Sequence, residues 1–123
     1  MKINNTGVPM NIIEKMTEAV VAALEDKKGE DIQLIDISEI SPIADKFIIA
    51  SGTNRNQVQA MADAVEENMH KAGFSLKQTE GYDSANWILM DFVDVVVHIF
   101  DKESRSFYDL ERIWKDGKIM YLK

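Results

Sequence analysis

The chain has 123 residues, 46% of them apolar, which suits one compact domain with a real core and argues against global disorder. It has no cysteine, which excludes disulfide staples, thiol nucleophiles and thiolate metal sites. Its net charge of −7 lacks the basic excess that general RNA or DNA binding needs; it suits a basic protein partner, and equally it serves plain solubility.

Along the chain, residues 1–9 read as a flexible tail, because Val8-Pro9 disfavours helix just before Met10. From Met10 to about Lys27, Ile12, Ile13, Met16, Ala19, Val20, Ala23 and Leu24 form a helical stripe, with Lys27, Lys28 and Gly29 as its stop. Ile32 to Ile37 is short and β-branched, so a strand; Ser41-Pro42 marks a connection. Lys46 to Ala50 (KFIIA) is apolar without alternation and predicts a central strand covered on both faces. After SGTN, with Thr53 or Asn54 as cap, the spacing of Val58, Met61, Ala62, Val65 and Met69 predicts a helix over 55–72, ended by Gly73. Phe74 to Thr79 suits a short strand, and Glu80-Gly81 opens a loop.

Trp87 to Asp91 and Val95 to Phe100 then form two strands joined by a tight hairpin at Phe92-Val93-Asp94. Phe107, Leu110, Ile113 and Trp114 return to helical spacing, and residues 116–123 read as a C-terminal extension of a single domain over 10–115. Two long helices and a mixed sheet of about five strands flanked by helices make an α/β domain bordering on α+β. No secretory signal is evident in MKINNTGVPMNII. The longest apolar-rich run, WILMDFVDVVVHIF, is too short and too charged to cross a bilayer, so no membrane is expected and a soluble, cytoplasmic protein is.

That run, Trp87 to Phe100, carries Asp91, Asp94 and His98 in an apolar setting. One reading is enzymatic. Ser51-Gly52 between a strand and a helix can cradle phosphate, and Asp91 with Asp94 around a strand end resembles the metal-holding pair of a nucleotidyltransferase. The spacing opposes it: carboxylates on one strand share a metal when two residues apart, and these are three apart, as turn residues would be. His98 and His70 form no zinc-binding pair, and no G-x-S-x-G sequence is present, so neither metal, cofactor nor catalytic residue is expected.

The other reading is a sheet with two differently used faces. Alternation puts Trp87, Leu89 and Asp91 on one face and Ile88, Met90 and Phe92 on the other, while Val95, Val97 and Ile99 oppose Asp94, Val96 and His98. One set packs on helices; the other mixes large apolar and polar groups, as a docking surface does, with Trp87 as anchor or as a plain core residue.

DKFIIASGTNRNQVQAMADAV (Asp45 to Val65), Glu80-Gly81 with WILMD, DVVVHIF (Asp94 to Phe100) and RSFYDLERIW (Arg105 to Trp114) together resemble the ribosomal silencing factor, or Iojap-like, family over about residues 10–115. The resemblance implies a nucleotidyltransferase-like fold without enzymatic activity. It implies a protein that binds the large ribosomal subunit through a basic ribosomal protein of the subunit interface, the fourteenth of that subunit. There it blocks small-subunit joining and represses translation when nutrients are scarce. The family's W-x-x-x-D tryptophan maps onto Trp87 as the ribosomal-protein contact, with Tyr82, Ser84, Met90 and His98 as further expected contacts. Relatives often carry glycine where this chain has Val93; a β-branched residue is disfavoured at positive φ, so a different hairpin turn is expected. Three function classes remain: a binding protein that prevents subunit association, a nucleotide-binding or nucleotidyl-transferring enzyme, and an assembly factor or homodimer that self-associates off the ribosome.

Overall fold

A computed structural model describes residues 10–38, 44–108 and 118–122. The expected tail over 1–9, the Ser41-Pro42 connection and most of the expected helix over 107–114 lie outside them. The elements run α1 (Met10–Asp26), β1 (Glu30–Asp36), β2 (Lys46–Gly52), α2 (Arg55–Lys71), β3 (Gln78–Glu80), β4 (Trp87–Asp91), β5 (Val95–Asp101), α3 (Lys102–Tyr108) and β6 (Lys118–Leu122). The class is the expected one, a mixed sheet with flanking helices. The sheet has six strands in the order β3-β4-β5-β2-β1-β6, not about five, because Lys118–Leu122 of the expected C-terminal extension pairs with β1. All pairings are antiparallel except β2 with β5, which run parallel at the centre.

Local chemistry sets the helix ends. In α2, Asn54 is the N-cap, its side chain accepting from the Gln57 N–H at 2.9 Å. At its other end the Gly73 N–H donates to His70 and the Phe74 N–H to Met69, with Gly73 at φ +92°, a Schellman closure. The α1 end is closed the same way, with Lys28 donating to Glu25 and Gly29 to Leu24. Here, however, the left-handed residue is Lys28 (φ +61°), one position before the glycine. Gly29 serves close packing instead: a Cβ there would press on the Leu24 carbonyl and the Met61 sulfur, each 3.0 Å away.

Both long helices pack on one face of the sheet. Ile13, Met16, Val20 and Leu24 of α1 and Val58, Met61, Val65 and Met69 of α2 bury against Ile48, Ile88, Met90, Val97 and Ile99. Gln57 ties the helices together, its amide donating to the Lys27 and Lys28 carbonyls left unpaired at the end of α1. The opposite face carries a second cluster of Ile35, Ile37, Ala44, Ile49, Val96 and Phe100. β2 is thus buried from both sides, as the unalternating apolar run within Lys46 to Ala50 predicts.

The start of α3 is a difference. Helical spacing points to Phe107 onward, whereas the helix begins at Lys102, where Asp101 caps it by accepting from the Ser104 N–H at 2.7 Å. β3 is also shorter and later than Phe74 to Thr79, because Phe74 completes the α2 closure and packs on the core.

Candidate functional site

The second face of the sheet is assembled by strand register. Antiparallel pairing sets Trp87 opposite Phe100, Leu89 opposite His98 and Asp91 opposite Val96. Parallel pairing on the other side of β5 sets Phe47 beside Val96, Ile49 beside His98 and Ser51 beside Phe100. Side chains two residues apart share a face, so Phe47, Trp87, Leu89, Val96, His98 and Phe100 come together from three strands. Phe47, Trp87 and Leu89 are partly exposed on it; the others are buried.

The aromatic groups are in contact. Trp87 stacks on Phe100 with ring centroids 5.2 Å apart, and Phe47 meets the His98 ring edge-on at 4.6 Å. The Trp87 indole N–H donates to His98 Nδ1 at 3.0 Å. An indole N–H only donates, so Nδ1 is unprotonated and the neutral ring carries its proton on Nε2. His98 is 3% exposed, and burial pushes its pKa down from 6.5 to about 3, so it stays neutral at physiological pH. Its buried Nε2 has no hydrogen-bond partner among the described residues.

The loop before Trp87 is shaped by Gly81, at φ +81°, where any Cβ would collide with the Trp87 carbonyl oxygen. The loop after β4 turns at Val93, which adopts φ +76°. The expectation of a different turn, with Val93 kept from positive φ, is therefore overturned. The Asp91 carboxylate accepts from the Val93 N–H at 2.8 Å, and the Asp94 N–H donates to the Phe92 carbonyl at 3.0 Å, a three-residue γ-turn geometry. Asp91 thereby acts as a turn residue. The Asp94 carbonyl accepts from Asp45 and Lys46, joining the hairpin to the start of β2.

The remaining expected contacts do not gather around Trp87. Met90 is 1% exposed and lies in the core under α1 and α2, on the other side of the sheet; its expected role as a contact is corrected, because strand alternation turns it inward. Tyr82 is 37% exposed and leans toward α2, its hydroxyl donating to the Asp63 carboxylate at 3.0 Å, a bond that holds its pKa above the usual value. Ser84 lines a shallow polar cleft with Thr53, Asn54, Arg55 and Asp101. Leu89 and Phe100, which belong to the Trp87 face, were signalled in sequence only by their alternation with Ile88 and Ile99, and Phe47, in an apolar run without alternation, carried no such signal.

The Ser51-Gly52 turn does not form an open phosphate cradle. Ser51 is buried, its hydroxyl accepting from Arg105 at 2.9 Å, and the Thr53 N–H after the turn is taken by the Gln57 side chain at 2.6 Å. A Cβ on Gly52 would meet Val58 at 2.9 Å, so the glycine serves packing against α2. Among the described residues, no group of three or more His, Asp or Glu side chains is placed to hold a metal ion, and no helix is long and apolar enough to cross a membrane.

Comparison with known proteins locates this architecture. A family model described as "Ribosomal silencing factor during starvation" matches residues 9–122. The chain is 41% identical over 106 residues to a Bacillus subtilis protein named Ribosomal silencing factor RsfS, covering 86% of this chain and 90% of that one. A crystal structure of a Chromobacterium violaceum protein aligns with a TM-score of 0.82 at 34% identity, covering 89% of this chain and 91% of that one. A Mus musculus protein named Mitochondrial assembly of ribosomal large subunit protein 1 is 27% identical over 100 residues, covering 79% of this chain and 44% of that one.

Proposed function

Because this chain belongs to the ribosomal silencing factor family, we propose that it represses translation by occupying the large ribosomal subunit where the small subunit would join. The proposed contact is a basic ribosomal protein of the subunit interface, gripped by the Trp87 face in the cytoplasm under nutrient limitation. The observation that carries this reading is the stacked, hydrogen-bonded and partly exposed Trp87 on the sheet face opposite α1 and α2. A rigid tryptophan offers large contact area at little rotamer cost. The net charge of −7 steers the domain toward a basic protein patch and away from bare rRNA. A domain of this length has a radius of gyration of roughly 14 Å, bulky enough to hold two surfaces apart without any bond-making. A non-catalytic role is further supported by the Thr53 N–H, a donor a nucleotide phosphate would use, being taken by Gln57, and by the burial of Ser51 against Arg105.

The test is sucrose-gradient sedimentation with separated subunits. Wild type migrates with large subunits and not with small ones, and prevents their joining. Trp87→Glu places an unpaired charge at the contact centre, where losses of about 2–4 kcal/mol are typical, or roughly 30- to 900-fold in affinity. The variant loses co-sedimentation while its circular dichroism is unchanged; retained binding removes Trp87 from the contact. An assembly role is the second reading, favoured by the name of the Mus musculus relative. Depletion in cells separates the two: immature large particles accumulate if assembly dominates, and mature subunits join prematurely if silencing does. Off the ribosome the same apolar face is proposed to pair two copies of the chain, so that added large subunits dissociate the dimer in analytical ultracentrifugation.

A further inference from the structure

We infer that His98 is the positioning residue for Trp87: it stays out of the contact itself and holds the indole at one orientation on the sheet face for the partner to grip. The inference deepens the docking reading above and rests on it for its functional consequence, though not for its geometry.

Three observations carry it. His98 sits diagonally across from Trp87 on β5, with Nδ1 3.0 Å from the indole nitrogen, while Phe100 supports the flat of the indole. The hydrogen bond fixes the direction of the ring and the stack fixes its height, so the two together leave the indole little rotational freedom. Second, His98 is 3% exposed beneath Phe47, so a docked partner does not reach it. Third, Nε2 is buried without an acceptor among the described residues, and in the tautomer that the indole imposes it carries the hydrogen. An unsatisfied buried N–H is a cost that leucine or valine at this strand position would avoid. Packing alone therefore does not account for histidine here. What histidine supplies that an aliphatic residue does not is the Nδ1 acceptor aimed at Trp87. Burial keeps the ring neutral, and with it the acceptor, across the physiological range.

A side chain ordered before docking does not have to be ordered during it, which is worth about two- to tenfold in affinity. The test uses the full chain with its indole nitrogens labelled, and the Trp87 N–H resonance is assigned by its loss in Trp87→Phe. In wild type this proton is shifted downfield and exchanges slowly with solvent. In His98→Leu it moves to the position of a water-exposed indole and exchanges at least tenfold faster, while the melting temperature holds or rises. In His98→Asn the amide oxygen occupies the place of Nδ1, so the slow exchange returns even though the melting temperature falls. Co-sedimentation with large subunits follows the indole signal: about two- to tenfold weaker in the Leu variant and restored in the Asn variant. An indole resonance and exchange rate unchanged in His98→Leu overturn the inference. So does Leu-level binding in an Asn variant that keeps the slow exchange. If wild type itself fails to bind large subunits, the docking reading falls, and the indole resonances still decide whether His98 holds the ring.

Discussion

Acid should weaken this fold through His98 in a way that can be isolated. The unfolded chain takes up the imidazole proton as pH falls below 6.5, whereas burial delays uptake in the folded state to about 3. A depressed folded pKa means that the contribution is fully present above 6.5 and is lost as pH falls from there toward 3. Each pKa unit corresponds to about 1.36 kcal/mol. At pH 5, about one and a half units below the ordinary value, the loss is about 2 kcal/mol, and it approaches roughly 4–5 kcal/mol near pH 3. Against total stabilities of about 5–15 kcal/mol this is a large effect. The assay is urea unfolding followed by circular dichroism at pH 7.5 and 5, on wild type and on His98→Leu. Exposed carboxylates such as Glu67, whose pKa is lowered by its hydrogen bond to Lys71, titrate alike in both proteins. Wild type therefore loses about 2 kcal/mol more than the variant between the two conditions. Parallel losses would refute the reasoning, since they would mean that the folded protein accommodates imidazolium and that the ring is not sealed from water.

Other substitutions probe the frame around the site. Val93→Gly relieves a β-branched residue at φ +76° and raises stability by about 1 kcal/mol after the entropic cost of glycine, read as a melting temperature higher by about 3–5 °C. Lys28→Gly at the left-handed end of α1 gains about 0.5–1 kcal/mol in urea unfolding, and a loss there would contradict the Schellman geometry. Arg105→Ala removes donors to the Ser51 hydroxyl and the Asp31 carbonyl and costs about 2–3 kcal/mol, whereas Ser51→Ala costs about 1 kcal/mol because Arg105 keeps Asp31. If Ser51 is structural in this way, Ser51→Ala leaves binding to large subunits unchanged in the sedimentation assay.

Much of the fold was legible because it is written in short-range periodicity. The bounds of β4 match the expected Trp87 to Asp91, and α2 was readable from a cap at Thr53 or Asn54, which the structure resolves to Asn54, to its Gly73 stop, since capping and apolar spacing act within a few residues. Where local cues compete, the boundary moved. Lys28 took the left-handed position that glycine usually fills because Gly29 was needed for contact with Leu24 and Met61. Val93 entered positive φ because the Asp91 carboxylate and the closing of the hairpin over-determine that turn. β6 went unread because a five-residue strand shows itself only through its partner β1.

The site divides in the same way. The alternation of WILMDFVDVVVHIF by itself determined that Trp87 and His98 face away from Ile88 and Val97, because the side-chain period of a strand is two whatever surrounds it. It was also enough to put Met90 on the face opposite Trp87, although nearness to Trp87 in the chain had suggested it as a contact. Only the tertiary structure decided that β2 runs parallel to β5 and brings Phe47 onto His98, and that β4 meets β5 in the register that aims the Trp87 N–H at Nδ1. It also decided that His98 is sealed beneath its neighbours. These features depend on pairing between segments tens of residues apart. No local pattern encodes such pairing; the burial of both sheet faces together selects it.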